Sequence, residues 1–276
     1  GDFVYTREGA HAHHRILFHE DITGKEITSH LLDAVKKLKN VRMYEYTTLL
    51  DILCDGSKCC GGIIRWPDGR EEQVEADYVI LATGGIGGTY KHSTNFKHLT
   101  GDGVEIARRH NIELKNLDYV QIHPTTLYSD NKEERSFLIS ESVRGEGARL
   151  YDKNMNRFVD ELLPRDLLTQ EIYKQMEKDG TDFVWEDLRT IPRDELISHF
   201  PNIIEHCSQA GYDVFHECIP IVPAQHYFMG GIKVNHNSKT SMDHLYAVGE
   251  TACNGVHGKN RLASNSLLES LVFAKR

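Results

Sequence analysis

The chain has 276 residues, of which 39% are hydrophobic and 26% are charged. The 32 basic and 41 acidic residues give a net charge of −9, which argues against a general surface for nucleic acid or for anionic membranes. No apolar run approaches the roughly 18 residues that a membrane-spanning helix needs, and residues 1–14 contain no signal-peptide core. We therefore expect a globular, soluble, cytoplasmic protein of one large domain or two.

The cysteines and histidines indicate neither a disulfide framework nor a metal centre. Alternation along a strand would bring His11 and His13 to one face, but no third ligand is evident. The cysteines form no C-x-x-C pair, and their scatter is typical of reduced thiols in a reducing compartment. These cysteines are Cys54, Cys59, Cys60, Cys207, Cys218 and Cys253. We expect no metal site.

The first 85 residues predict one helix followed by several strands. Residues 25–40 carry apolar side chains at helical spacing and lysines in the last turn, where the helix dipole favours them. Strand-rich runs flank the turn at residues 66–69. The apolar run at residues 78–82 leads into Thr83-Gly84-Gly85, which is typical of a buried parallel strand that ends at a ligand.

Two glycine-containing segments allow more than one interpretation. The segment from Gly85 fails the dinucleotide pattern G-x-G-x-x-G, because the third glycine would fall at Tyr90. Its glycines permit either close approach of a cofactor or a simple turn. A helix is predicted from Gly101 to Arg109, and Asp102 is placed to be its N-cap or to accept a hydrogen bond from a cofactor hydroxyl.

Residues from about 117 to 227 differ from both flanking regions by their longer loops and acidic surface, and helices are predicted at 164–178 and 192–200. This pattern indicates an inserted second domain. Strand-and-glycine patterns then resume from residue 230, and residues 264–276 form a predicted final helix. The predicted fold class is α/β (α+β).

Four polar stretches place possible anion donors beside proline, glycine or apolar residues. They are 121–125, 163–167, 223–227 and 260–262. Arg165 falls in the first turn of a predicted helix, where its charge opposes the helix dipole at a cost of up to about 1 kcal/mol, which favours a nearby anion. Arg261 precedes small polar residues at the start of the last helix, whose outward N–H groups favour a negative or electron-rich partner.

Eight short motifs occur in order along almost the whole chain. They are ATGG (82–85), GDG (101–103), HPT (123–125), RGEG (144–147), PRD (164–166), HYFMGG (226–231), YAVGE (246–250) and NRLASNSLLE (260–269). This ordered set resembles the flavoproteins of the succinate dehydrogenase, fumarate reductase and L-aspartate oxidase family. Residues 261–269 and 8–15 are more similar to the L-aspartate oxidases than to the succinate dehydrogenases, although Ala10 departs from the oxidase pattern by one methyl.

The resemblance implies a fold and a cofactor. It implies a partial FAD-binding Rossmann-like domain at 1–116 and 228–276, with an inserted α+β capping domain at 117–227. In relatives, the helix start that matches residues 264–268 is aimed at the flavin pyrimidine ring, where its N–H groups stabilise negative charge. The implied FAD-binding residues are Thr83, Gly84, Gly85, Asp102, Glu250, Ser266 and Leu267.

The resemblance also implies a reaction. L-Aspartate would be oxidised to iminoaspartate, with dioxygen or fumarate as the electron acceptor, in the first step of de novo NAD biosynthesis, and quinolinate synthase would consume the product. A fumarate reductase or succinate dehydrogenase flavoprotein subunit is the alternative. The implied catalytic residues are Arg165 and Arg261 as carboxylate clamps, His123 and His226 as hydrogen-bond partners and Glu8 as the partner of the ammonium group. Gln121, Thr125 and Glu141 are expected in the pocket wall.

Two regions of the family pattern do not occur in this sequence, namely the N-terminal G-x-G-x-x-G loop and the C-terminal helical region. We therefore expect an internal fragment that binds FAD weakly and turns over little substrate, because the glycine loop supplies the main pyrophosphate contacts. A folded capping-domain scaffold without cofactor is the non-enzymatic alternative.

Overall fold

The computed structural model describes residues 5–6, 11–19, 22–131 and 135–275. Contacts within the chain divide it into two compact units. Unit 1 comprises Gly1–Ser29, Gly88–Lys97 and Gln121–His226, and unit 2 comprises His30–Gly87, His98–Val120 and Tyr227–Arg276. The predicted domain limits, 1–116, 117–227 and 228–276, stay a prediction.

The chain combines helices and strands throughout its length, which confirms the predicted α/β fold class. The helices are α1 (Thr23–Lys36), α2 (Asp102–Arg109), α3 (Glu141–Gly145), α4 (Arg165–Asp179), α5 (Arg193–His199), α6 (Pro201–Gln209) and α7 (Asn265–Ala274). The strands are β1 (Tyr5–Thr6), β2 (Ile16–Leu17), β3 (Thr48–Asp55), β4 (Lys58–Arg65), β5 (Glu71–Glu75), β6 (Val79–Leu81), β7 (Leu114–Lys115), β8 (Val120–Leu127), β9 (Arg149–Tyr151), β10 (Val184–Asp187), β11 (Ile219–Phe228), β12 (Gly231–Lys233), β13 (Leu245–Ala247) and β14 (Ala252–Cys253).

Unit 1 is built around a four-stranded sheet in the order β8-β11-β10-β9. Strand β10 is antiparallel to both of its neighbours, β11 and β9. Strand β11 is buried along nearly its whole length, and the core also includes Leu168 and Ile172 of α4, Leu196 of α5 and Ile203 of α6. This core fixes α3, the start of α4 and strands β8 and β11, which carry the polar residues of the candidate site.

Unit 2 contains three small sheets. Strands β3, β4 and β5 form an antiparallel meander, β13 pairs in parallel with β6, and β12 lies between β14 and β7. The turn predicted at residues 66–69 is confirmed, because Trp66 N–H donates to Arg70 O and Gly69 N–H donates to Trp66 O. The core of this unit joins apolar side chains of β3, β6, α2, β12 and β13.

Some sequence predictions needed correction. The strand predicted at 78–82 pairs in parallel, as expected. It is not buried along its length, because Tyr78 and Ile80 are 60% and 62% exposed while Leu81 is buried. Of the two roles predicted for Asp102, the N-cap of α2 is wrong. Gly101 occupies this position with φ 81°, which an L side chain rarely adopts, and Asp102 is the first helical residue. Within the described ranges, every helix is too short or too polar to cross a bilayer.

Candidate functional site

Arg165 of unit 1 is held by two polar side chains. It is the first residue of α4, its Nε donates to Glu141 Oε2 at 2.6 Å, and its Nη1 donates to Gln121 Oε1 at 3.2 Å. The Arg165 and Glu141 side chains are only 10% and 17% exposed. Glu141 is therefore the anion that the position of Arg165 predicted, and the two hydrogen bonds fix the plane of the guanidinium.

His123 and His226 lie on the neighbouring strands β8 and β11, and their ring centroids are 5.3 Å apart. His123 Nδ1 contacts the backbone N and O of Thr125 at 3.2 and 3.0 Å. Burial, followed by the charges of Arg165, His226 and Arg144, lowers the pKa of His123 well below its usual value. His123 is therefore a neutral imidazole at physiological pH. It can act as a hydrogen-bond partner without adding a further positive charge beside Arg165 and Arg144.

Unit 1 also contains a buried arginine, Arg144, and a buried glutamate, Glu186. Arg144 is 2% exposed, and its Nη1 donates to Glu161 O at 2.7 Å. Its Nε and Nη2 have no hydrogen-bond partner within the described residues, and the same holds for both carboxyl oxygens of the fully buried Glu186. The sequence placed Arg144 in a motif without a role and gave no signal at all for Glu186.

Burial raises the pKa of Glu186 to about 8, with Arg144 opposing the rise and Glu161 adding to it. The folded state therefore keeps a proton that an unfolded glutamate loses near pH 4.5, so this group makes stability fall as pH rises from about 5 to 8. We expect Glu186→Gln to remove this loss. As pH rises across this window, the free energy of unfolding of the variant should increase relative to that of the parent by about 1 kcal/mol per pH unit.

Urea unfolding of both proteins at several pH values between 5 and 8 measures this difference. The exposed substitution Glu177→Gln on α4 is the matched control, for which we expect no pH-dependent difference. A Glu186→Gln protein with the same pH dependence as its parent would show that Glu186 titrates normally.

Arg261 of unit 2 is 5% exposed and lies over an aromatic ring. Its guanidinium carbon is 4.7 Å from the centroid of Tyr227, and its Nη1 donates to Leu262 O and Ser266 Oγ, each at 3.3 Å. An arginine stacked on tyrosine keeps its planar fork in one orientation. The predicted clamp residue is thus positioned by the residues that precede and begin α7.

Glu269 of α7 accepts a hydrogen bond from Tyr227, the residue on which Arg261 stacks. Tyr227 O–H donates to Glu269 Oε2 at 3.1 Å, His257 Nε2 lies 2.9 Å from the same oxygen, and Asn254 Nδ2 donates to Oε1 at 2.5 Å. Burial, then the Glu269 and Glu250 carboxylates, raise the pKa of Tyr227, which therefore keeps its hydroxyl proton. Sequence analysis assigned Glu269 no role, because its partners lie 12–42 residues away.

The predicted FAD-binding residues of unit 2 form two groups. Thr83 Oγ1 donates to Thr251 Oγ1 at 2.9 Å, and Glu250 Oε1 accepts from Phe228 N–H at 2.8 Å. A Cβ on Gly85 would clash with this Glu250 oxygen, so Glu250 packs closely against Gly85. Close approach of a cofactor to these glycines stays a prediction. Gly84 has φ 72°, and Asp102 Oδ1 accepts from Thr100 Oγ1 at 2.8 Å.

The second group is the start of α7. Ser264 is at its N-cap with φ 64° and makes no capping hydrogen bond through its side chain, and Ser266 and Leu267 follow in the first turn. Helix geometry gives the first-turn N–H groups no acceptor within the helix, so they suit an electron-rich ligand edge. Glu8 lies outside the described residues.

We expect Gly85→Ala to lower the free energy of unfolding by about 1–3 kcal/mol, because the new methyl must displace the Glu250 carboxylate from Phe228. Chemical denaturation of the two proteins measures the change. Gly24→Ala in α1 is the matched control, since nothing lies within 4 Å of its added Cβ and the helix should gain slightly. Equal stability of Gly85→Ala and the parent would mean that Glu250 moves aside without cost.

Comparison with known proteins places the chain in a family. Residues 1–267 match a family described as FAD binding domain. The chain belongs to this FAD-binding domain family. The family match confirms FAD as the cofactor that the motifs implied.

Several L-aspartate oxidases are similar to the chain. It is 52% identical to an L-aspartate oxidase of Clostridium perfringens over 273 residues and 48% identical to one of Clostridium acetobutylicum over 276 residues. These alignments cover 99% and 100% of the chain but 62% and 63% of the relatives, so the chain spans about three-fifths of their length. The resemblance to this flavoprotein family is confirmed.

A solved structure has the same fold. The structure of an E. coli quinol fumarate reductase variant matches 98% of the chain and 50% of its own chain with a TM-score of 0.88 and 32% identity. The chain therefore shares its fold with this fumarate reductase over nearly its whole length.

Proposed function

We propose that the full-length protein oxidises L-aspartate to iminoaspartate with FAD as cofactor and dioxygen or fumarate as electron acceptor. The observation that carries the proposal is the largely enclosed Arg165 side chain, oriented by Glu141 and Gln121 beside a neutral His123. The identity to L-aspartate oxidases of two Clostridium species supports the choice of substrate. The proposal keeps the cytoplasmic location predicted from the sequence.

The two arginines neutralise the two carboxylates of the substrate. Arg165 uses Nε and Nη1 within the protein, and within the described residues Nη2 has no partner, so this nitrogen remains for a carboxylate oxygen. Arg261, held over Tyr227, supplies the second charged fork. A guanidinium is a very weak acid and stays charged in proteins, so both residues act as electrostatic clamps rather than as bases in this direction.

His123 and His226 add hydrogen bonds, and His123 does so without adding charge. A neutral imidazole offers one donor and one acceptor, so His123 orients a carboxylate oxygen while leaving the net charge of the site to the arginines. His226 is oriented by Thr94, whose Oγ1 lies 2.8 Å from its Nδ1. Glu8 is proposed to bind the substrate ammonium group, which would discriminate aspartate from succinate.

The residues of unit 2 fit FAD. Glu250, fixed by Phe228 N–H, and Asp102 would accept hydrogen bonds from FAD hydroxyls, and Thr83, Gly84 and Gly85 would line the cofactor. The N–H groups of Ser266 and Leu267 would bind the electron-rich edge of the pyrimidine ring. FAD, when bound, supplies the acceptor for the hydride that leaves Cα.

An oxidase assay on the full-length protein tests this proposal. L-Aspartate should yield hydrogen peroxide, whereas succinate and glutamate tested in parallel should not. Consumption of the product by added quinolinate synthase would support the proposed link to NAD biosynthesis. Absence of aspartate-dependent flavin reduction in a protein that holds FAD would reject the proposal.

The structural similarity to the fumarate reductase favours a second candidate, a fumarate reductase or succinate dehydrogenase flavoprotein subunit. Such a subunit would reduce a dye with succinate and would make little peroxide with aspartate. The same assay plate therefore distinguishes the two functions.

A further inference from the structure

A thiol, an imidazole and a carboxylate form a chain of contacts in unit 2, on residues that the proposed function does not use. Cys54 lies near the end of β3 and is exposed, and its Sγ is 3.5 Å from His110 Nδ1. His110 Nε2 is 2.8 Å from Asp51 Oδ1, three residues before Cys54 on the same strand. The arrangement connects a nucleophilic atom to a base and the base to an anion.

The positions of the hydrogens follow from Asp51. An ionised carboxylate can only accept, so His110 Nε2 carries the hydrogen and Nδ1 is left as an acceptor for the thiol. The same Asp51 oxygen accepts from Ile52 N–H at 2.9 Å and lies 3.5 Å from Arg109 Nη2, which hold it in place. His110 is also the C-cap of α2, which fixes the position of its ring beside β3.

A second cysteine lies directly across the hairpin. Strands β3 and β4 are joined by Gly56 and Ser57, and the register pairs Cys54 with Cys59. Facing residues of an antiparallel pair have Cα atoms roughly 4.5–5.5 Å apart, and a disulfide spans Cα separations of roughly 4.4–6.8 Å. Met242 is a neighbour that both cysteines share. Cys54 Sγ is 3.8 Å from Met242 Sδ, and Cys59 is buried in the core that includes Met242.

We propose that Cys54 is a site of oxidation by hydroperoxides and that Cys59 converts the oxidised form into a Cys54–Cys59 disulfide. In the first step the thiolate attacks the peroxide, the O–O bond breaks, and Cys54 sulfenic acid and water or an alcohol form. In the second step the Cys59 sulfur attacks the sulfenic sulfur, and water leaves. The protein loses two hydrogens, and one peroxide is reduced.

The His110–Asp51 pair is needed because this thiol is not acidic by itself. Burial raises the pKa of the Cys54 thiol, and Cys59, Cys60 and Asp51 raise it further. At neutral pH the reactive thiolate therefore forms by transfer of the proton to His110, with Asp51 stabilising the imidazolium. Above the pKa of the thiol the transfer is no longer required.

The test uses the purified, reduced protein and added hydrogen peroxide, so it does not depend on the proposed oxidase activity. Intact mass and peptide mapping should show loss of two hydrogens and a Cys54–Cys59 link formed before other cysteines react. In Cys59→Ser, a sulfenic-acid reagent should label Cys54. His110→Asn should slow the reaction about tenfold or more at neutral pH and have no effect at a pH above the thiol pKa.

Cys60→Ser is the matched control, because Cys60 lies in the bulge between the register pairs Cys54–Cys59 and Leu53–Gly61. This variant should form the disulfide at the parental rate. The proposal is overturned if a cysteine other than Cys54 reacts first, if the link forms to Cys60, or if His110→Asn reacts at the parental rate at neutral pH.

Discussion

Replacement of Arg261 with leucine in the full-length protein should weaken L-aspartate binding by about 2–5 kcal/mol, because one substrate carboxylate loses its charged fork. This corresponds to an increase in the dissociation constant of roughly thirtyfold to several thousandfold. The aspartate dependence of flavin reduction measures this constant. Arg261→Lys should lie between the parent and leucine, since it keeps the charge but not the planar fork that Tyr227 orients.

The control for this substitution is Arg108→Leu in α2. Arg108 is 65% exposed and pairs with Glu105 on the same helix, so its loss should change stability by less than about 0.5 kcal/mol and leave aspartate binding unchanged. Thermal unfolding of all three variants separates binding from folding. Parental affinity in a folded Arg261→Leu protein would remove Arg261 from the substrate site.

Replacement of Glu269 with alanine should lower the free energy of unfolding by about 3–5 kcal/mol. Glu269 is 5% exposed and accepts from Tyr227, Asn254 and His257. Its removal leaves the buried Tyr227 and the part-buried Asn254 and His257 without this acceptor and opens a cavity in unit 2. Urea denaturation measures the change. Glu269→Gln should cost less, since its amide oxygen retains part of the acceptor role.

Glu105→Ala provides the comparison, because Glu105 is a 51% exposed member of a surface ion pair and its loss should be close to neutral. A decrease of less than about 1 kcal/mol for Glu269→Ala would show that the three donors find other acceptors. In that case Glu269 does not hold Tyr227 beneath Arg261.

Local signals in the sequence were sufficient for the elements around the site. The periodicity from residue 164 predicted α4 and placed Arg165 in its first turn, and the motif that contains Arg261 predicted the start of α7. Turn chemistry located the bend at Trp66, since it depends on neighbouring residues only. The N-cap of α2 was misassigned because Gly101 supplies a left-handed φ that needs no side-chain cap.

The sequence by itself determined the motif order, the flavoprotein family and the residue types of the candidate site. Only the tertiary structure decided which groups meet: Arg165 with Glu141 across 24 residues, Tyr227 with Glu269 across 42, and Cys54 with His110 across 56. Periodicity and capping report contacts within a few residues along the chain. Contacts between distant residues, and the burial that gives Glu186 its raised pKa, exist only once the strands and helices have packed.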